Sequence, residues 1–227
     1  MENFLFDFNI PVEEEDFGNS KRDILRYLSD IGVDTRFISY MPNKIYINNL
    51  RFSKFSRRRQ TTFEKHFSDF KVIRSSLFQE IATNASRELA SSIKPKVKVL
   101  IPEDANPLIP IILEPYTRKY GISLIFDEKE DYDLITSNKT LDTEVHSIIS
   151  EIFSGNGINF PRKKENYIYP LIKVLNSQIN DFLDEDVVSN NYNDVAEEFL
   201  EFLDDTVAQY KPNILASVEY LEENQKK

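Results

Sequence analysis

The sequence of 227 residues contains no cysteine, no tryptophan, two histidines and five glycines. Without cysteine, the chain has no disulfide framework, no thiolate ligands for zinc or iron–sulfur clusters and no cysteine nucleophile. His66 and His146 stand far apart, which gives no support to a Ser-His-Asp triad or a histidine metal site. From these patterns we predict no catalytic residue, no metal and no cofactor.

Long apolar runs are also missing. No uninterrupted apolar stretch approaches 18 residues, so the sequence predicts no membrane-spanning helix and no membrane partner. The first residues, MENFLFDFNIPVEEED, lack the basic start and apolar core of a signal peptide. The absence of cysteine fits a reducing compartment. Together these features predict a cytoplasmic protein.

The net charge of −10 is distributed unevenly along the chain. The first 18 residues are acidic, whereas the stretch from Lys44 to Lys98 carries thirteen Lys or Arg against four Asp or Glu. Its centre, RFSKFSRRR at Arg51–Arg59, interleaves cations with Phe52 and Phe55, a pattern suited to binding phosphates and stacking a base. We predict RNA contact through the cations of this cluster, namely Arg51, Lys54, Arg57, Arg58 and Arg59. The alternative is a solvated basic loop whose phenylalanines pack inward.

The order of predicted elements indicates an α/β fold. In the first part, a helix ending near Gly32 is followed by two strand-like runs around Pro42-Asn43, which predict a hairpin. Apolar residues at helical spacing from Thr61 to Ile93 predict one long amphipathic helix, with Thr83-Asn84 as the candidate position of a break. We therefore predict an N-terminal extension over residues 1–93, with a helix, a hairpin, a basic segment and this long helix.

The second predicted domain covers residues 94–227. A buried-type strand at Val97–Ile101 is followed by a helix from about Leu108 to Tyr120, further strands and another helix, which is the order expected of a parallel sheet with flanking helices. The turn after the first strand reads PEDANP. It lacks the glycines that let backbone N–H groups approach phosphates, and its two carboxylates would repel them.

The stretch from Tyr132 to Leu175 contains a short strand, a polar turn, a helix that starts at Thr140 and a Gly155-Asn156-Gly157 stop. It resembles the second half of PP-loop ATP pyrophosphatase domains that thiolate tRNA, in the pair Leu141-Asp142 and the later Pro170-Leu171. It is most similar to the non-catalytic subunit family, cytoplasmic tRNA 2-thiolation protein 2. The resemblance implies a degenerate PP-loop fold, of the adenine nucleotide alpha hydrolase type.

The chain departs from that family at several points. The glycines and serines of the PP-loop are missing, Asn156 stands where the family has arginine, and the cysteine pairs are absent. The resemblance therefore implies a non-catalytic subunit that scaffolds an active PP-loop tRNA thiolase and contacts tRNA. It also implies a partner interface formed by Gly155, Asn156, Gly157, Pro170 and Leu171. Two alternatives stay open: an α/β protein–protein adaptor with no RNA role, and an enzyme with an unrecognised site.

Overall fold

Two separate sheets organise the chain. The structure, a computed structural model, describes residues 21–159, 163–188, 192 and 194–225. Within these residues, one sheet has the strand order β1-β2-β3, and the other has the order β5-β4-β6-β7. None of the helices in the described part of the chain is long and apolar enough to cross a membrane.

The first sheet belongs to a small N-terminal module, residues 21–74. Its elements are α1 (Lys21–Asp30), a 3-10 turn (Thr35–Phe37), β1 (Ile38–Met41), β2 (Lys44–Ile47), α2 (Leu50–Ser53), α3 (Arg57–His66) and β3 (Lys71–Ile73). The predicted hairpin is confirmed, because β1 and β2 pair antiparallel around Pro42-Asn43 and Asn43 adopts the left-handed conformation. A cluster of buried side chains that includes Ile24, Leu28 and Phe63 forms the core of the module.

The prediction of one long helix over residues 61–93 is wrong. The helical pattern breaks into α3, then β3, which pairs parallel with β2, and then α4 (Ser76–Ser92). The reason is local: the Ser75 hydroxyl accepts a hydrogen bond from the Phe78 N–H at 3.1 Å and starts a new helix. The β-branched residues Val72 and Ile73 fit a strand better than a helix.

The second sheet confirms the predicted α/β class. Its four strands are all parallel: β4 (Lys98–Leu100), β5 (Ser123–Ile125), β6 (Leu134–Thr136) and β7 (Tyr167–Ile168). The helices that accompany it are α5 (Leu108–Lys119), α6 (Leu141–Phe153), α7 (Asn176–Leu183), α8 (Val195–Thr206) and α9 (Tyr210–Gln225). Pro212 lies in the first turn of α9, where its missing N–H breaks no helical hydrogen bond.

Two cores support this part of the molecule. Buried residues of α4, α5 and the parallel sheet form one cluster, so α4 packs with the second sheet although the sequence places it before residue 93. Buried residues of α6, α8 and α9 form another. The proposed boundary between residues 93 and 94 stays a prediction.

A polar network centred on the Glu114–Arg118 ion pair of α5 connects that helix to the N-terminal module, to which Lys21 also contributes a pair with Glu114 at 2.9 Å. The Arg118 guanidinium pairs with Glu114 and donates to the carbonyls of Thr35 at 3.1 Å and Ile38 at 2.7 Å. The Glu114 carboxylate also accepts from the Tyr40 N–H at 2.8 Å. This network connects residues 35–40 of the module to α5.

Candidate functional site

The topological switch point of the parallel sheet lies between β4 and β6. These strands are neighbours, while β5 lies beyond β4 on one side and β7 lies beyond β6 on the other. Open α/β sheets bind ligands in the crevice at the carboxyl ends of such a strand pair. In this chain, that crevice is bordered by residues 102–107 after β4 and residues 137–140 after β6.

Asn138 ties the two loops together. Its side-chain oxygen accepts from the Asn106 N–H at 2.8 Å, and its side-chain nitrogen donates to the Asp104 carbonyl at 2.9 Å. The amide thus bonds to two backbone groups within the 102–107 turn. The crevice between the loops is bridged by the chain's own hydrogen bonds.

N–H groups at the amino terminus of α5 also have hydrogen-bond acceptors within the chain. In a nucleotide-binding α/β fold, the N–H groups at this position point at a phosphate. Here Asn106 takes two of them: its side-chain oxygen accepts from the Leu108 N–H at 3.0 Å, and its carbonyl accepts from the Ile109 N–H at 2.9 Å. Pro107 and Pro110 have no N–H to offer. The exposed carboxylates of Glu103 and Asp104 lie in the same turn.

The helix that follows β6 is capped in the same self-contained way. The N–H of Thr143 donates to the Thr140 hydroxyl, and the N–H of Thr140 donates to the Thr143 hydroxyl, which forms a capping box. The Leu141 N–H donates to the Val174 carbonyl at 3.0 Å. The start of α6 predicted at Thr140 is thereby confirmed, and its first N–H groups have partners within the chain.

Asp142, in the first turn of α6, serves the fold. Its carboxylate accepts from the Asn176 N–H at 2.8 Å and pairs with the Lys211 ammonium at 3.0 Å. Burial lowers the pKa of Lys211, but the hydrogen bond that its ammonium donates to Asp142 and the charge of that carboxylate outweigh the effect of burial, so the pKa is raised. Asp142 therefore connects α6 to α7 and α9. Within the described residues, no group of three or more His, Asp or Glu side chains is arranged to hold a metal ion.

The predicted RNA-binding cations lie on the surface of the N-terminal module. The module carries thirteen Lys or Arg against five Asp or Glu, a net charge of +8. Arg51, Lys54, Arg57 and Arg58 are exposed. Three consecutive arginines begin α3, where the helix dipole disfavours positive charge. Helix stability therefore does not account for their position.

Two residues of the basic cluster point inward instead. Arg59 donates to the Lys54 carbonyl, and its guanidinium lies against Gly32, where a Cβ would come within 2.7 Å of it. Phe55, predicted as a stacking residue, is fully buried and meets Phe63 edge-on. Phe52 is 53% exposed and is the aromatic ring of the pair that solvent reaches. The cluster thus presents four cations and one aromatic ring.

The five predicted interface residues divide into two groups. Gly155, Asn156 and Gly157 form an exposed turn after α6, with both glycines in the left-handed region that ends a helix. Pro170 and Leu171 are buried, and Leu171 belongs to the core of the parallel sheet. Only the glycine turn is accessible to a partner, and its role remains a prediction.

Sequence reasoning missed Asn106 and Asn138, since a single asparagine in a loop carries no spacing signal. The one available clue was that each follows a predicted strand of the same sheet. The carboxylates and prolines of PEDANP disfavour phosphate binding, but they do not reveal the hydrogen bonds that bridge the crevice.

Comparison with known proteins gave one structural similarity. No family model matches the chain, and no curated protein matches it. Among solved structures, the chain is similar to the U34-tRNA thiolase NcsA from Methanococcus maripaludis, solved with its [4Fe-4S] cluster. The two chains share 13% sequence identity, and the match covers 70% of this chain and 84% of that chain, with a TM-score of 0.47.

Proposed function

We propose that this chain is the non-catalytic subunit of a complex that 2-thiolates the wobble uridine of tRNA. It scaffolds an active PP-loop ATPase as a heterodimer and contacts tRNA. The observation that supports a non-catalytic role is the hydrogen bonding at the switch point. There Asn106 and Asn138 already bond to backbone groups that a bound phosphate would need. The sequence resemblance of Tyr132–Leu175 supplies the thiolation context.

The work divides between the two subunits. The PP-loop thiolase supplies adenylation of the uridine by ATP and the transfer of sulfur. This chain supplies a docking surface and the exposed cations Arg51, Lys54, Arg57 and Arg58, which neutralise phosphates of the tRNA backbone. Arg59 holds the loop that carries Lys54.

A pyrophosphatase assay on the purified chain tests the non-catalytic part of the proposal. We expect no release of pyrophosphate from ATP above the protein-free blank, with or without tRNA, because the crevice offers no phosphate cradle. Asn138→Ala, which removes the bridge between the loops, is the matched variant. Pyrophosphate release by the pure wild-type chain that changes in Asn138→Ala would assign catalysis to this crevice and overturn the proposal.

An adaptor with no RNA role is the second candidate. It is favoured by the strongly acidic helices of the C-terminal part, where α8 alone carries Glu197, Glu198, Glu201, Asp204 and Asp205. It shares the docking role and differs in the basic module, which in an adaptor has no nucleic-acid ligand. The salt dependence of tRNA binding separates the two.

A further inference from the structure

An apolar groove runs between α6, α8 and α9. It has a volume of about 420 Å³ and is lined by aliphatic residues that include Ile152, Leu203, Val207, Ile214 and Leu221. Three of these side chains, Ile152, Val207 and Leu221, are each 46% exposed. The groove is therefore open to solvent along the side that a ligand would enter.

The exposed apolar surface continues next to the groove. Phe153 at the end of α6 meets Phe199 of α8 edge-on, with ring centroids 5.4 Å apart. Val195, Phe199 and Phe202 follow each other at helical spacing, and each is at least one-third exposed. Because α8 buries Ala196 and Leu200 on its inner side, it presents apolar residues both to the protein and to solvent. A contiguous exposed surface of this kind marks an interaction site.

The negative charge around the groove determines which kind of segment can bind there. Residues 141–159 and 194–225, which contain the three helices, carry twelve Asp or Glu and one Lys or Arg, so their net charge is −11. That one cation, Lys211, is paired with Asp142 and Asp204. Glu198, Glu201 and Asp205 are exposed on α8, the helix that also carries Phe199 and Phe202. A segment that fills the groove must bring positive charge with its apolar residues.

Neither residues 1–20 nor a second copy of the chain suits the groove. Residues 1–20 carry six acidic side chains and no basic one, so they would be repelled. A symmetric contact with a second copy would place one acidic face against another. Contact with the basic module of a second copy would join unlike surfaces and build a ring or an open filament rather than a symmetric dimer.

We propose that this groove binds a basic amphipathic helix of a partner protein, with its apolar stripe in the groove and its cations along α8. A cleft between helices suits a helix with apolar anchors at i, i+3, i+4 and i+7. The inference rests on the proposed function only in requiring a protein partner, and it names the chemistry that the partner presents. The Gly155-Asn156-Gly157 turn lies at the same end of α6 as Ile152 and Phe153.

Binding of a synthetic helix to the full-length chain tests this. The probe is a fluorescent peptide of about 18 residues, with leucine at i, i+3, i+4 and i+7 spacing and lysine on the other face. One control peptide carries glutamate in place of lysine, and the other has the same composition without an apolar face. We expect saturable binding of the first peptide alone, measured by anisotropy.

Matched variants locate the binding site. Ile152→Ser and Phe202→Ser should each weaken binding about tenfold, whereas Phe126→Ser, which alters a similarly exposed ring (56%) beyond β5, should leave it unchanged. Glu201→Lys combined with Asp205→Lys should weaken binding at low salt, whereas Glu128→Lys with Asp131→Lys should have a smaller effect. Circular dichroism confirms that each variant is folded.

Any of several results would overturn the inference. The first is equal binding of the control peptides, or an effect of Ile152→Ser and Phe202→Ser no larger than that of Phe126→Ser. The second is self-association of the wild-type chain that Ile152→Ser abolishes, which makes a second copy the occupant. The third is about tenfold tighter peptide binding after deletion of residues 1–20, which assigns the groove to that segment. None of these results depends on ATP or tRNA, so failure here is separate from failure of the thiolation proposal.

Discussion

Single polar side chains connect the two halves of the molecule and bridge the loops of the switch point. Asn138 acts through two hydrogen bonds to the backbone of the 102–107 turn. Arg118 acts through a buried carboxylate and two carbonyls of the N-terminal module. In both cases one side chain forms hydrogen bonds with backbone that is distant in sequence. Its removal should therefore destabilise a part of the structure outside its own element.

Arg118→Ala should lower the free energy of unfolding by about 2 kcal/mol, because the buried Glu114 carboxylate loses its guanidinium partner and keeps only the Lys21 ammonium at 2.9 Å and the Tyr40 N–H. Arg118→Lys keeps the charge but not the planar set of donors, and we expect an intermediate loss. Urea unfolding at neutral pH measures both. Arg36→Ala, which removes an exposed pair with Asp34, is the control. Equal stability of Arg118→Ala and Arg36→Ala would show that the buried pair does not hold the modules together.

At the level of the elements, the joint between α8 and α9 depends on Tyr210. This buried residue belongs to the core shared by α6, α8 and α9, and its hydroxyl donates to the Leu200 carbonyl at 3.0 Å. Burial raises the pKa of Tyr210 from 10.0 to about 12. The neutral phenol is thus favoured in the folded state.

Alkaline pH should therefore destabilise the protein in part through Tyr210. Because the folded pKa lies above the unfolded one, the stabilisation is complete below about pH 10 and is lost as the pH rises through about 12. Tyr210→Phe should lose about 1 kcal/mol at neutral pH from the missing hydrogen bond. Its unfolding free energy should also fall less steeply above pH 10. Unfolding in urea at several pH values gives both quantities, and parallel curves for the two proteins would contradict this role.

Element boundaries were predictable where local chemistry fixed them. The cap at Thr140, the stop at Gly155 and the hairpin at Pro42-Asn43 follow from short-range hydrogen bonds and backbone preferences. The break between α3 and α4 was not predictable from periodicity, because the helical spacing that includes Phe63 and Phe67 continues past the end of α3. The pairing of β3 with β2, which decides the break, is a long-range contact.

The candidate site was predictable only in part for the same reason. A basic cluster is visible in the sequence, but which members face solvent depends on packing: Phe55 and Arg59 turn inward, and Phe52 and Arg58 stay outside. Asn106 and Asn138 meet only because β4 and β6 are neighbours in the sheet. The sequence spacing of the two asparagines does not indicate that β4 and β6 are neighbours.

Across the whole molecule, charge is separated into a basic and an acidic part. The module of residues 21–74 has a net charge of +8, and residues 75–227 have a net charge of −12. Salt screens the field of each part within about 10 Å at an ionic strength of about 0.1 M, so the two surfaces act on different ligands. A polyanion approaches the module, and a cationic partner approaches the acidic helices.

Binding of tRNA should depend on Arg57 and Arg58. Replacing both with alanine should weaken binding about tenfold at low salt and reduce the slope of log affinity against log salt by about 1.5. Lys94→Ala combined with Lys129→Ala removes the same charge from exposed positions outside the module and should change either value much less. If the arginine variant binds tRNA as the wild type does, the RNA role fails and the adaptor remains.

Reconstitution of thiolation tests whether this chain is the non-catalytic subunit of a tRNA thiolase. The chain and the PP-loop tRNA thiolase of its native source would be combined with ATP, a sulfur donor and tRNA, and 2-thiouridine at the wobble position measured by mass spectrometry. We predict no product from this chain alone and about a tenfold or greater stimulation when it is added to the thiolase. Equal product with and without the chain, and no stable complex between the two proteins, would contradict the account.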